Sequence, residues 1–238
     1  MTTRALMTML LLTGCVMAGA MPQRARVAGT VELLNSKARK NGRVDARGVA
    51  VWLEPLDGKV ARGPLTRQKI IQTGKRFIPH VLVVERGTEV DFPNLDPFFH
   101  NVFSLFDGKR FDLGLYASGE TRPVLFNRVG ISFIFCNIHP QMSAIVVAVE
   151  TPYFAVTDQQ GSFVINDVPE GRYQLRVWHE RTSNQELQAQ SRTVRVAGAN
   201  FDPGPIRLNE AGYVSRPHQN KHGREYDNER NNPAYKRP

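Results

Sequence analysis

One loop, Cys136-Asn137-Ile138-His139-Pro140-Gln141-Met142, brings a thiol, an imidazole and a thioether together, and His100 adds a second imidazole from upstream. Soft sulfur suits Cu(I) and imidazole suits Cu(II). A trigonal His₂Cys set with a weak axial Met is therefore the donor set of a one-electron copper centre. The Cys-x-x-His spacing turns a tight corner after a strand, so both side chains face one point, and Met142 comes round to approach from the side. Pro140 stiffens the turn, because it fixes φ and offers no N–H. Two other readings of these residues stay open. One is a zinc site built from His100, Cys136, His139 and a water, which leaves Met142 without a role. The other is a buried strand cysteine with two unrelated histidines.

The elements that must position these donors read as strands. Glu89-Val90-Asp91-Phe92 follows the turn Glu85-Arg86-Gly87-Thr88, and the Pro-punctuated apolar segment Phe92 to Phe99 delivers His100 at a loop edge. Gly130 to Phe135 runs into the cysteine, and Ala144 to Val149 is a near-continuous apolar strand after the loop. Frequent Pro and Gly with many β-branched runs make the chain all-β. Its 238 residues allow two domains of about a hundred residues each once the ends are set aside.

Residues 68–150 resemble the cupredoxins, the small blue copper proteins, nearest to amicyanin and plastocyanin. The resemblance rests on His100-Asn101-Val102, on Gly130 to Cys136, and on the short His139-Pro140-Gln141-Met142 form of the loop. It implies a Greek-key β-sandwich, one type 1 copper held by His100, Cys136, His139 and Met142, and one-electron shuttling between redox partner proteins. It also implies that the ring edge of His139 reaches the surface as the electron port, and that the Asn101 amide ties the two ligand loops together. Aromatic density around the site would supply a dry shell.

A second resemblance lies downstream. Thr157-Asp158 followed by Gly161-Ser162-Phe163, then Val168-Pro169-Glu170-Gly171-Arg172-Tyr173, is similar to the carboxypeptidase regulatory-like (transthyretin-like) β-sandwich. Such modules open with a Gly-Thr-Val strand and a Val-x-Val-x-Leu strand, and here those openers stand at Gly29-Thr30-Val31 and Val49 to Leu53. The expected arrangement is an insertion, with 25–65 and 151–208 forming one small sandwich and the copper domain spliced between them. Two domains in series is the alternative.

Residues 1–20 read as a leader, with Arg4 before an apolar run too short to span a bilayer. Either Ala18-Gly19-Ala20 is a signal-peptidase site or Leu12-Thr13-Gly14-Cys15 is a lipobox that would lipidate Cys15. Both place the mature protein in the periplasm, in the second case anchored to the membrane. Residues 212–238 are polar, basic and poor in apolar side chains, which predicts a disordered tail. His80 and His179 are expected to be structural. His218 and His222 would share a face only if that tail were helical.

The formal charge of +9 does not point to nucleic acid in an exported chain that lacks a recognised binding motif. An acidic docking surface on a redox partner suits it better, since complementary charge raises association rates. A closed four-donor site has no open position for substrate, so the chain is not expected to be an enzyme. Three functions follow: an electron carrier, a copper-binding protein for storage or delivery, and an exported interaction module with a vestigial site.

Overall fold

The computed structural model describes residues 24–58, 62–105, 108–214 and 218–226. Residues 1–23, which hold the expected leader with Cys15, and residues 227–238 lie outside them. The described residues are almost entirely β, with one short helix, Asn184–Gln190, capped by the Ser183 side chain accepting from the Glu186 N–H.

The strand Arg24–Leu34 turns Ala25, Val27, Val31 and Leu33 inward by simple alternation. It pairs antiparallel with Ser162–Pro169 and parallel with Ile206–Asn209. Opposite it stands a sheet ordered Phe154–Val156, Ala50–Pro55, Gly171–Trp178, Arg192–Val196. Val27, Val51, Leu53, Phe163, Leu175 and Ile206 meet between the two sheets in one core. Ala50–Pro55, the strand whose pairing separates insertion from a serial order, lies between Phe154–Val156 and Gly171–Trp178. Strands from both ends of the chain thus share a core, and the segment between them leaves and returns.

The turn before Phe163 is held by Thr157, Asp158 and Gly161 acting together. Asp158 Oδ1 accepts from the N–H groups of Gln160 and Ser162. Thr157 Oγ1 donates to the Ala46 carbonyl and accepts from the Val49 N–H. Gly161 sits at φ +83°, where any Cβ would strike the Val31 carbonyl.

The intervening segment builds its own sandwich. One sheet runs Phe111–Tyr116, His100–Ser104, Gly130–Phe135, Ser143–Val149, Val81–Glu85, and the facing sheet is Thr121–Phe126, Thr88–Pro93, Gln68–Lys69. Phe92, Val102, Phe126, Ile134, Met142 and Val146 pack between them. A third cluster, with Val83, Ile145, Val147 and Val149 against Ala50 and Trp52, covers the outer face of the five-stranded sheet with the other sandwich. Ser143–Val149 is therefore buried on both faces, which is why its sequence runs apolar without alternating.

Candidate metal centre

Three of the four expected donors converge. His100 opens its strand, Cys136 stands one residue beyond Gly130–Phe135, and His139 follows around the corner. His100 Nδ1 lies 3.1 Å from His139 Nδ1, and Cys136 Sγ lies 3.5 Å from His139 Nδ1 and 3.9 Å from His100 Nδ1. The centre of that triangle is about 2 Å from every corner, the reach of a metal–nitrogen bond and slightly inside that of a metal–sulfur bond. All three residues are wholly buried. Met142 is also wholly buried and sits in the same core cluster as Cys136. The loop is closed by its own backbone, with the Cys136 N–H donating to the Met142 carbonyl (3.2 Å) and the Met142 N–H to the His139 carbonyl (3.0 Å).

The electrostatics suit metal ligation. Burial pushes the His139 imidazole down to about 3, with the neighbouring His100 and Lys75 adding to the effect. Burial also lowers His100. Both rings are therefore neutral at ordinary pH and hold a lone pair for a ligand. Burial raises the Cys136 thiol, opposed by the backbone N–H groups of Asn101, Ile138 and His139. Those same N–H groups favour the thiolate once a cation is near, and a coordinating thiol is deprotonated outright. A buried thiolate donor beside two neutral imidazoles fits copper or another soft to borderline cation.

Asp96, which the sequence reading did not single out, fixes one of these candidate donors. His100 Nε2 lies 2.8 Å from Asp96 Oδ2. With its proton on that nitrogen, the ring presents a bare Nδ1 to the cluster. Asp96 is itself held by the N–H of Gly74 at Oδ1 (2.6 Å) and of Lys75 at Oδ2 (2.9 Å). Burial pushes its carboxyl up, but those N–H groups and His100 outweigh it and keep it below the ordinary carboxylate range. A carboxylate four residues before an expected metal-binding histidine, in a Pro- and Phe-rich loop, was the available signal.

Two expected roles change. The His139 edge does not reach the surface: the residue is 0% exposed. Phe98 packs edge-on to His100 at 5.2 Å and tilted over His139 at 5.6 Å, closing off both rings. The Asn101 amide donates to Asp112 Oδ1 (2.7 Å) on the neighbouring strand rather than to the cysteine loop. Its tie to that loop is the backbone N–H aimed at Cys136. The remaining histidines stand apart. His80 lies 3.0 Å from both the Ser143 carbonyl and Glu180, and His179 is buried beside Thr182 and Glu210. His218 and His222 are not on a helix.

The expected disordered tail also differs where it is described. Residues 218–226 fold back onto the loop, with His218 stacked on Phe135 at 4.1 Å between centroids. Their polar composition forms no core alone, but it borrows one from the cysteine strand.

One consequence concerns acid. His139 is near 3 in the fold against 6.5 for the free side chain, so as pH falls the unfolded chain takes up its proton first. The stability this contributes is complete above about 6.5 and is lost progressively toward 3. The metal-free protein is expected to show a lower urea midpoint at pH 5 than at pH 7.5. His139→Gln should reduce that dependence, leaving the share of His179 and His100, which burial also lowers.

No protein-family model matches this sequence, and no curated protein matches it. Among solved structures the chain is similar to a purple cupredoxin from Nitrosopumilus maritimus, at 26% identity and TM-score 0.32, over 34% of this chain and 99% of that one. It is similar to a Cu-containing nitrite reductase from Thermus scotoductus SA-01, at 24% identity and TM-score 0.35, over 41% of this chain and 25% of that one. It is also similar to a reduced amicyanin mutant, at 19% identity and TM-score 0.32, over 34% of this chain and 80% of that one. Each of these structures aligns over part of this chain.

Proposed function

We propose that this chain is an exported type 1 copper protein that carries single electrons between redox partners. The observation that carries the proposal is the buried triangle of Cys136 Sγ, His100 Nδ1 and His139 Nδ1, with sides of 3.1 to 3.9 Å. Copper held there would supply reversible one-electron transfer. The residues around it serve that chemistry by refusing to move. Asp96 holds the His100 tautomer, the loop hydrogen bonds hold Cys136 and Met142, and the buried surroundings exclude water. A donor set that does not rearrange between oxidation states suits electron transfer. The four donors leave no open position for a substrate, so we read the chain as non-catalytic.

In this reading, 25–65 and 151–208 are one regulatory-like sandwich that carries the copper sandwich of 68–150, an order supported by their shared core. The leader delivers the protein to the periplasm, with Cys15 as an optional lipid anchor, and the formal net charge of +9 favours partners with acidic docking faces. A second reading, copper storage or delivery, is favoured by the full burial of His139, which leaves that ligand no surface edge.

Electrochemistry separates the two. The carrier reading predicts one copper per chain and a reversible one-electron wave. Met142→Leu should keep the metal and raise the potential, because dropping from four donors to three costs the more highly charged Cu(II) more than Cu(I), which tolerates fewer donors. Each tenfold difference in that weakening is worth about 59 mV. Loss of the metal in Met142→Leu would mean a different coordination geometry, and an irreversible wave in the parent protein would favour storage or delivery.

A further inference from the structure

We propose that residues 218–226 form a clamp that locks the Cys136–Met142 loop and closes its sulfur off from reagents in solution. The segment first folds on itself. The Asn220 N–H donates to the Arg224 carbonyl, and the Gly223 N–H donates back to the Asn220 carbonyl, both at 2.9 Å. Asn220 Oδ1 caps the turn by accepting from the N–H groups of His222 and Arg224. Asn220, whose side chain bonds its own backbone two residues on, and Gly223, at φ +72°, are residue types that favour such a turn.

This turn then grips the loop at separate points. Tyr226 Oη donates to the Cys136 carbonyl (2.7 Å) and lies 3.0 Å from His218 Nδ1, whose ring stacks on Phe135. The Lys221 N–H donates to Asn137 Oδ1 (2.9 Å). The Lys221 ammonium sits 2.6 Å from Asp112 Oδ2, while Asp112 Oδ1 accepts from the Asn101 amide. Through Lys221 alone, the clamp therefore holds the residue after Cys136 directly and the residue after His100 by way of Asp112. Charge-assisted and neutral bonds acting together hold a loop more firmly than any one of them.

Cys136 is 0% exposed, so a reagent or an exchanging soft metal ion reaches its sulfur only when the surroundings open, and the clamp grips the strand end and loop that carry it. Opening of a loop held by a handful of contacts is a local event, well below global unfolding. The clamp makes that opening a gated step. It rests on contacts to the loop rather than on the identity of the metal, so it and the copper assignment fail separately.

The test is the rate at which iodoacetamide alkylates Cys136 in the reduced, metal-free, full-length protein. Cys15→Ala in the background makes Cys136 carry the whole signal. The full-length chain with Tyr226→Ala and Lys221→Ala is expected to react roughly tenfold faster or more, since opening then costs fewer contacts. Tyr226→Phe, which removes one hydroxyl and keeps the ring, should react a few times faster. His222→Ala, in the same segment but exposed, should leave the rate unchanged. Far-UV circular dichroism would establish that each variant is folded, and Tyr226→Phe decides the matter if the double variant is not. Equal rates within about twofold for the parent and a folded Tyr226 variant would overturn the clamp. So would a parent protein that already reacts as fast as a free thiol.

Discussion

Cys136→Ser is expected to remove the intense thiolate-to-copper absorption and to weaken copper binding by on the order of a hundredfold. Structural four-ligand zinc sites are worth about 10–16 kcal/mol, and on that scale one ligand accounts for roughly 3 kcal/mol. Serine fits the space but offers a hard, protonated oxygen where Cu(I) requires soft sulfur. The comparison that makes the result specific is His80→Ala. His80 lies against Ser143 and Glu180, away from the donor triangle, and its removal should leave the colour intact. A competition titration followed by visible absorption reads both variants. If His80→Ala lost the colour, the donor set would be wrong.

Asp96→Asn is expected to lower copper affinity by about 10- to 100-fold, although Asp96 is not itself among the proposed donors. Both carboxylate oxygens face N–H donors, Gly74 at Oδ1 and Lys75 with His100 at Oδ2. An amide has only one acceptor oxygen. Whichever way it turns, its NH₂ opposes an N–H, and a buried donor is left unmatched at a cost of about 1–3 kcal/mol. If the NH₂ faces His100, the ring is driven toward the tautomer that protonates Nδ1, where the metal lone pair should be. Copper titration and a thermal scan of the metal-free variant separate the affinity effect from the stability effect. Unchanged affinity would mean that His100 is oriented by its strand alone.

These two residues mark how far the chemistry was legible. Cys136, His139 and His100 could be named because a thiol and an imidazole three residues apart, with a second imidazole at a strand end, form a short pattern that few other roles require. The all-β class was equally plain, since alternation such as that of Arg24–Leu34 is a local property. Asp96 was missed because its partners, Gly74 and Lys75, arrive from a turn more than twenty residues upstream and only the fold brings them close. The burial of His139 was missed for a similar reason. Phe98 reads as one more core aromatic, and nothing in its neighbours says that it lies across both imidazoles. The segment 218–226 was read as disordered from its polarity, a sound rule for a segment that must stabilise itself. It fails here because the segment's contacts are with Phe135, Cys136 and Asn137, some eighty to ninety residues away.

The most direct test of the copper assignment is the visible absorption and EPR spectrum of the protein loaded with Cu(II). The account predicts an intense blue thiolate-to-copper band with narrow parallel hyperfine splitting, at one copper per chain. A colourless protein that binds zinc, or no metal, would contradict it, and the convergence of His100, Cys136 and His139 would then be packing rather than ligation.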